Sequence, residues 1–573
     1  MHSYLGKPET LPLASPPSSP PRSSSSPKRL AALLLLLPAA LWLSVPTDKA
    51  FSLLPGCAHH RQLDLAHPLD SVKGGACPVQ PEPINVGDDW KPEEDEAYVK
   101  LAVERLQGSV RIRTESFDDM GSPYEDSRFD AFAPLHDYLE KTFPRVFDKL
   151  EVEKVQKYGL LLTWKGKEEK LKPVVLMAHQ DTVPVPDTTL SRWTHPPFDA
   201  VYDDEGWIWG RGTTDCRNTL IGIFGALDKL IEDGFEPKRT IVSSFGFDEE
   251  IGGARSAAYL AKEIESRYGR DGVALILDEG FSGISESFGR TFASFGLAEK
   301  GAVSVELEVL TEGGHSSVPH GKHTGIGILA RLLVALEDHP DSPALKQGNP
   351  LLQYLNCAAD YGDVGKSLKK RIKDPRQWKA LGEELAQDDQ LRAFLSTTQA
   401  EDLIQGGVKL NALPELATAA VNYRIAFGSS VNATLERISS ILAPVVSQLN
   451  LTYSPFGAHD DVSNNAVRLN ILGDSPIEPA PITPAEGKAW ELMAGTARHI
   501  WPEAVAAPLG MIANTDTKHY WNLTENIYRF VPGRLDQIKN FHTVDERIHR
   551  DSHLSGIRYF YKLLRNSEEW ETE

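Results

Sequence analysis

The sequence predicts an α/β fold in two parts, a larger domain built on an open α/β sheet and a smaller α+β unit inserted into it. Three observations point there. The chain has 573 residues, more than one hydrophobic core usually supports. Three short apolar runs, Val174–Met177, Ile241–Phe245 and Val273–Leu277, read as buried strands, and helix-prone stretches lie between them. At Gly301 the character changes: Ala302–Leu310 alternates apolar and polar residues as a half-exposed strand does.

Taken in order, residues 1–29 are rich in Pro and Ser and read as a disordered cytosolic tail. The uncharged run Leu30–Val45 reads as a single transmembrane signal anchor over residues 30–46, with a cleaved signal and secretion as the alternative. The basic residues Lys7, Arg22, Lys28 and Arg29 precede it. They put the short N-terminal side in the cytosol and the bulk of the chain in a lumen, a type II arrangement. Sequons at Asn432, Asn450 and Asn522 agree with lumenal exposure. Residues 47–86, dotted with Pro and Gly, read as a stalk, and helical patterning begins near Glu93. The larger domain is then 87–298 together with 459–573, and the inserted unit is 299–458. Within the insert, Ile326–Leu336 and Ala433–Leu449 pattern as helices and Ala417–Ile425 and Leu451–Tyr453 as strands. Between them, 341–405 is polar and helix-prone.

Composition excludes more than it names. With 80 acidic and 60 basic residues the net charge is −20, and no basic stripe with interleaved aromatics occurs beyond the N-terminus, which argues against nucleic acid as a partner. Four cysteines are too few for a disulfide scaffold. Cys57 and Cys77 share the irregular segment and are placed to pair in an oxidising lumen, with two free thiols as the alternative.

The chemistry concentrates where the strands end. His179 and Asp181 follow the first, Asp248, Glu249 and Glu250 the second, and Asp278 and Glu279 the third. Open α/β sheets bind ligands just beyond the carboxyl ends of their strands, so three such endings point to one shared site. The imidazoles and carboxylates of His179, Asp215, Glu250, Asp278 and a late histidine suit Zn²⁺ or a similar divalent ion, and a bridging aspartate among them would hold a pair, as two-metal hydrolases do. Glu249 and Glu250 are neighbours whose side chains diverge, so one can ligate while the other acts as a base. Asp181, two residues beyond His179, faces the same side of an extended chain and can accept that imidazole's second N–H.

The segments MAHQDTVPV (177–185), GRGTTDCRN (210–218), FDEEIGG (247–253), LDEG (277–280), GGHSSVP (313–319), NALPE (411–415) and YRFVPG…FHTVDERI (528–548) resemble, in order, the signatures of the M20 metallopeptidase family. Within it the likeness is to the carboxypeptidase S branch of vacuolar Gly-X carboxypeptidases, over roughly residues 85–573. The resemblance implies a two-zinc exopeptidase-type catalytic domain with an inserted lid and dimerisation domain. It implies two Zn²⁺ per subunit, one on His179 and Asp278, the other on Glu250 and His542, with Asp215 bridging. Glu249 would be the general base and Asp181 the carboxylate orienting His179. His315, Asn411 and Arg424 would bind substrate, His315 across a homodimer formed through the insert and Arg424 at the terminal carboxylate of a small peptide. Many relatives have Asp-x-Lys after the bridging aspartate, whereas Cys216 and Arg217 stand here; Cys216 reads as a packed thiol rather than a ligand. The expected compartment is the vacuole membrane, lumenal side. An N-acyl amino-acid amidohydrolase with the same ligands is the enzymatic alternative. A scaffold without activity would have lost a ligand or Glu249, and none is missing.

Overall fold

The computed structural model describes residues 75–319, 321–457 and 464–570. The expected tail, the anchor and Cys57 lie outside them, and no helix among the described residues is long and apolar enough to cross a membrane. The three apolar runs are the centre of a nine-stranded sheet. Its order is Glu151–Val155, Gly159–Trp164, Ile241–Gly246, Val174–His179, Leu275–Asp278, Ile527–Arg529, Arg290–Glu299 and Val505–Met511, with Ile284–Ser287 beside Arg290–Glu299. Ile241–Gly246, Val174–His179, Leu275–Asp278 and Ile527–Arg529 run parallel, so their carboxyl ends share one edge. Both faces are covered, which is why every residue of the strands Val174–His179 and Ile241–Gly246 is buried rather than every second one. The helices Arg217–Glu232 and Arg550–Asn566 pack on one face through Leu220, Phe224, Leu227, Phe560 and Leu564, and Ala257–Tyr268 covers the other through Leu260 and Ile264.

A five-stranded sheet forms the lid, in the order Thr398–Gly406, Leu416–Ile425, Gly301–Leu310, Ala466–Ile477 and Thr452–Pro455. Gly301–Leu310 alternates buried and half-buried residues as its sequence requires, because one face packs on the helices Gly325–Glu337 and Val431–Gln448. The lid runs past 458, since Ala466–Ile477 pairs along Gly301–Leu310. The helical stretch does not belong to the lid core. The helices Pro350–Tyr361, Lys366–Lys373, Trp378–Leu385 and Asp389–Leu395 fold back on the catalytic sheet, where Leu351, Leu355 and Leu381 pack with Phe292, Val505 and Leu509.

The end of the expected stalk is fastened to the body. Gln80 exchanges two hydrogen bonds with the Ala506 backbone, at 2.9 and 2.8 Å. The Asn566 side chain donates to Ile84 O and accepts from Val86 N–H, and Lys562 Nζ donates to the carbonyls of Val86 and Asp88. Cys77 is bonded to Cys357, 280 residues away, and not to Cys57. Closing so long a loop constrains the unfolded chain strongly. Cys357→Ala is therefore expected to cost about 2–5 kcal/mol of stability. Denaturant titration without reductant measures this, and an unchanged midpoint would remove the disulfide from the account.

Candidate metal centre

His179 ends its strand with both ring nitrogens engaged. Nδ1 faces Asp181 Oδ1 at 3.2 Å, and Nε2 lies 2.8 Å from Asp215 Oδ1 and 3.3 Å from Glu279 Oε1. The other oxygen of Asp215 is 2.7 Å from His542 Nε2, which also approaches Glu250 Oε2 at 3.2 Å. One carboxylate thus stands between two donor groups, each compact enough to surround a single ion: His179, Asp215, Cys216 and Glu279, and Asp215, Glu250 and His542. This donor set fits two divalent ions.

Local sequence explains how distant residues meet. Ile538–Lys539 and Arg547–His549 pair as a hairpin whose loop carries His542, itself at φ +54° in the left-handed region. Trp207–Trp209 adds a third strand immediately before the Asp215 loop. Glu546, fully buried, ties the two loops together. It accepts from Thr214 N–H at 2.9 Å, from the Thr214 hydroxyl at 2.8 Å and from Arg211 at 2.5 Å. Cys216, also fully buried, accepts a hydrogen bond from His179 N–H at 3.1 Å, so its sulfur packs beneath the metal loop. Asp181 does more than orient His179. Its carboxylate accepts from the backbone N–H groups of Glu249 and Glu250 at 3.2 and 3.1 Å and from the Ser116 hydroxyl at 2.8 Å. The chain then turns away sharply at Gly252 and Gly253, at φ +99° and +68°. A Cβ on Gly253 would collide with Asp516.

Charge is strongly correlated here. Burial opposes ionisation of Asp215, but hydrogen bonds from His179 and His542 overcome it and hold the carboxyl far below its ordinary range. Burial would lower the pKa of His542, yet Asp215 and Glu250 push it up to about 11. Metal binding must displace such protons, so metal affinity strengthens as pH rises. Glu249 belongs to neither ligand group. Burial raises its pKa well above the carboxylate range, helped by Glu250 and Asp516 and opposed by His179. A carboxylate with raised proton affinity beside a metal site is what a general base requires.

Asp278 is the exception among the expected ligands. Adjacent residues at a strand end point to opposite sides, and the structure turns Glu279, not Asp278, toward His179. Asp278 Oδ1 accepts from Glu279 N–H, while Oδ2 is buried without a hydrogen bond. Burial, with Glu299 adding to it against that hydrogen bond, pushes Asp278 up to about 6. Glu279→Gln is therefore expected to weaken metal binding by at least roughly 10–100-fold, the scale known for indirect partners of metal ligands, and Asp278→Asn by far less. Titration against a competing chelator decides between them; the reverse order would restore Asp278 as the ligand.

The expected substrate residues are not gathered in one place. His315 pairs with Ala412, next to Asn411, at the exposed tip of the lid. Arg424 lies at the lid's root, where it donates to Asn514 Oδ1 at 3.2 Å on the catalytic body. From Ala302, opposite Arg424, to Leu310 is eight residues of strand, about 27 Å. From sequence, Glu279 was noted at its strand end but not as a ligand, and Glu546, Ser116 and Asn514 were not singled out. The first two lie inside motifs already noted, whereas Ser116 and Asn514 carry no local signal.

Residues 175–566 match peptidase family M20/M25/M40. The chain is 41% identical over 495 residues to carboxypeptidase S of Saccharomyces cerevisiae, covering 83% of this chain and 86% of that protein. It is 30% identical to an N-fatty-acyl-amino acid synthase/hydrolase of Mus musculus, covering 83% and 89%. An M20 family metallo-carboxypeptidase from Sulfolobus solfataricus has the same fold, with a TM-score of 0.56 at 17% identity over 82% of this chain and 99% of that one. With this family match, and with similarity to a carboxypeptidase along most of its length, the chain belongs to peptidase family M20, as a metallo-carboxypeptidase that hydrolyses peptides.

Proposed function

We propose that this enzyme is a two-zinc carboxypeptidase that removes the C-terminal residue of small Gly-X peptides in a vacuolar lumen. The observation that carries the reading is the Asp215 carboxylate shared between two ligand groups, with Glu249 beside them and outside both. When bound, a pair of divalent ions supplies Lewis-acid polarisation of the scissile carbonyl and acidifies the attacking water. Glu249 takes the water proton and passes it to the leaving amine. Asp181 fixes the direction of His179 and, through backbone N–H groups, the positions of Glu249 and Glu250. Arg424 receives the substrate carboxylate at the junction of lid and body, where a guanidinium can donate two parallel hydrogen bonds. His315 and Asn411 serve the active site of a second copy. Support for a homodimer comes from the lid tip, where Val408 and Leu410 are fully exposed and Leu403 and Ile404 largely so. The Cys77–Cys357 bond and the exposed sequon residues Asn432, Asn450 and Asn522 support an oxidising lumen, reached by way of the Leu30–Val45 anchor.

A second reading, an N-acyl amino-acid hydrolase, is favoured by the similarity to the mouse N-fatty-acyl-amino acid synthase/hydrolase. Both reactions cut an amide next to a free carboxylate and differ in the acyl side. The purified protein assayed on Gly-Leu-type dipeptides and on N-fatty-acyl amino acids, with and without chelator, separates them. Preference for the dipeptide and loss of activity on chelation are expected; preference for the fatty-acyl substrate overturns the peptidase reading, and activity surviving complete metal removal overturns both. Arg424→Ala is expected to lower kcat/KM on free dipeptides by about one to two decades, the worth of a charge-assisted contact. C-terminally amidated analogues should lose much less. An equal loss on both would mean that Arg424 does not read the carboxylate.

A further inference from the structure

Among its described residues the acidic chain carries a concentrated basic surface, formed by none of the residues placed at the metal centre or the substrate. Between Lys366 and Lys379 there are seven basic residues and one acidic residue, in a protein of net charge −20. The helix Lys366–Lys373 buries Leu368 and Ile372 against the catalytic body, and the Trp378 indole donates to Ile372 O at 2.8 Å, so the segment is rigidly seated. Apart from Ser367, every residue the helix exposes is a lysine. Lys366, Lys369, Lys370 and Lys373 line a depression of about 520 Å³ closed by Asp374, Pro375 and Arg376, and Lys379 is exposed nearby. Lys373 pairs with Asp360, Arg371 with Glu384 and Arg376 with Asp374. Lys366, Lys369, Lys370 and Lys379 form no ion pair among the described residues, although acidic side chains abound elsewhere on the surface.

We infer that this helix docks on an anionic phospholipid surface and sets the orientation of the enzyme on the membrane. Charge complementarity is the first argument: a cluster of unpaired lysines on a rigid base gathers anionic headgroups, each lysine adding to the attraction. Connectivity is the second. The basic helix follows the helix Pro350–Tyr361 after only four residues, and that helix holds Cys357, bonded to Cys77. The strap at Cys77 is also where the chain arrives from Leu30–Val45. The 32 residues from Val45 to Cys77 can span no more than about 110 Å, so an inserted Leu30–Val45 keeps the basic face within reach of the bilayer. Two attachments made together are much stronger than either alone, because the second becomes intramolecular. This orientation rests on the anchoring proposed above, whereas the affinity for anionic lipid does not.

The test uses the full-length chain, purified in detergent and reconstituted into vesicles of phosphatidylcholine alone or mixed with phosphatidylinositol. Acetylation rates of individual lysines are read by mass spectrometry at low and high salt. Lys366, Lys369, Lys370 and Lys379 are expected to react at least about fivefold more slowly on the anionic vesicles, with the difference erased by high salt. Lys100 and Lys170, exposed elsewhere on the surface, serve as references and are expected to react alike on both. Replacing Lys366, Lys369 and Lys370 by Glu should abolish the protection of the remaining Lys379 and leave dipeptide hydrolysis unchanged. Equal rates on the two vesicle types overturn the proposal, as does protection that survives high salt or, at Lys379, the three substitutions. Equal protection by soluble heparin would mark a general polyanion site and overturn the membrane assignment. A chain that fails to float with neutral vesicles, yet shows the salt-sensitive protection on anionic ones, would refute the anchor while upholding the docking surface.

Discussion

Glu249→Gln is expected to lower kcat by about 10²–10⁴ while metal content stays at the wild-type level. Two observations make the effect separable. The Glu249 carboxylate joins neither ligand group, so the amide removes a proton acceptor without removing a donor to metal. The bond that holds this residue in place runs from its backbone N–H to Asp181, and a side-chain substitution leaves it intact. KM should move little, because the residue handles a proton in transit rather than binding substrate. Metal analysis of the variant alongside its kinetics is the measurement. Loss of one metal together with activity would make Glu249 a ligand and reverse its roles with Glu250.

Asp215→Asn is expected to have the larger effect, taking activity below detection and emptying both halves of the site. The two oxygens of Asp215 face different imidazoles, at 2.8 and 2.7 Å, so a single carboxylate serves both groups. An amide can offer only one oxygen, and it carries no charge to oppose that of two divalent ions. The loss should exceed the roughly 10–100-fold typical of a residue that acts on metal only through another. Removing Glu546, which grips the same loop from behind through Thr214 and Arg211, should fall within that smaller range. A variant that still held two metals per chain would mean that Asp215 bridges nothing.

Most of this centre was legible because the physics is local. A run such as Val174–His179 can be so apolar only if both faces are covered, and a strand covered on both faces ends in a ligand site when ionisable residues follow it at once. The lid was legible for the converse reason: Gly301–Leu310 alternates because only one of its faces is covered. What failed depended on relations between segments. Asp278 and Glu279 are neighbours of the same charge, and only the sheet's twist and the position of His179 decide which is turned inward. The strand Ala466–Ile477 breaks its alternation at Gly473 and was missed, so the lid was closed too early. Cysteine connectivity is not encoded in spacing, and Cys77 found a partner 280 residues away rather than its neighbour in the irregular segment.

That crosslink has a topological consequence. Together with the backbone it closes residues 77–357 into a covalent ring, and the ring contains His179, Asp215, Glu249, Glu250 and Glu279. A single proteolytic nick anywhere within it opens the ring without releasing a fragment. On exposure to a protease, loops on this half of the molecule can be cut once and the pieces remain joined around the metal ligands. A nicked enzyme would run as one band on a non-reducing gel and as two after reduction. The stretch from 358 to His542 has no such protection: a cut there breaks the covalent link between His542 and the ring.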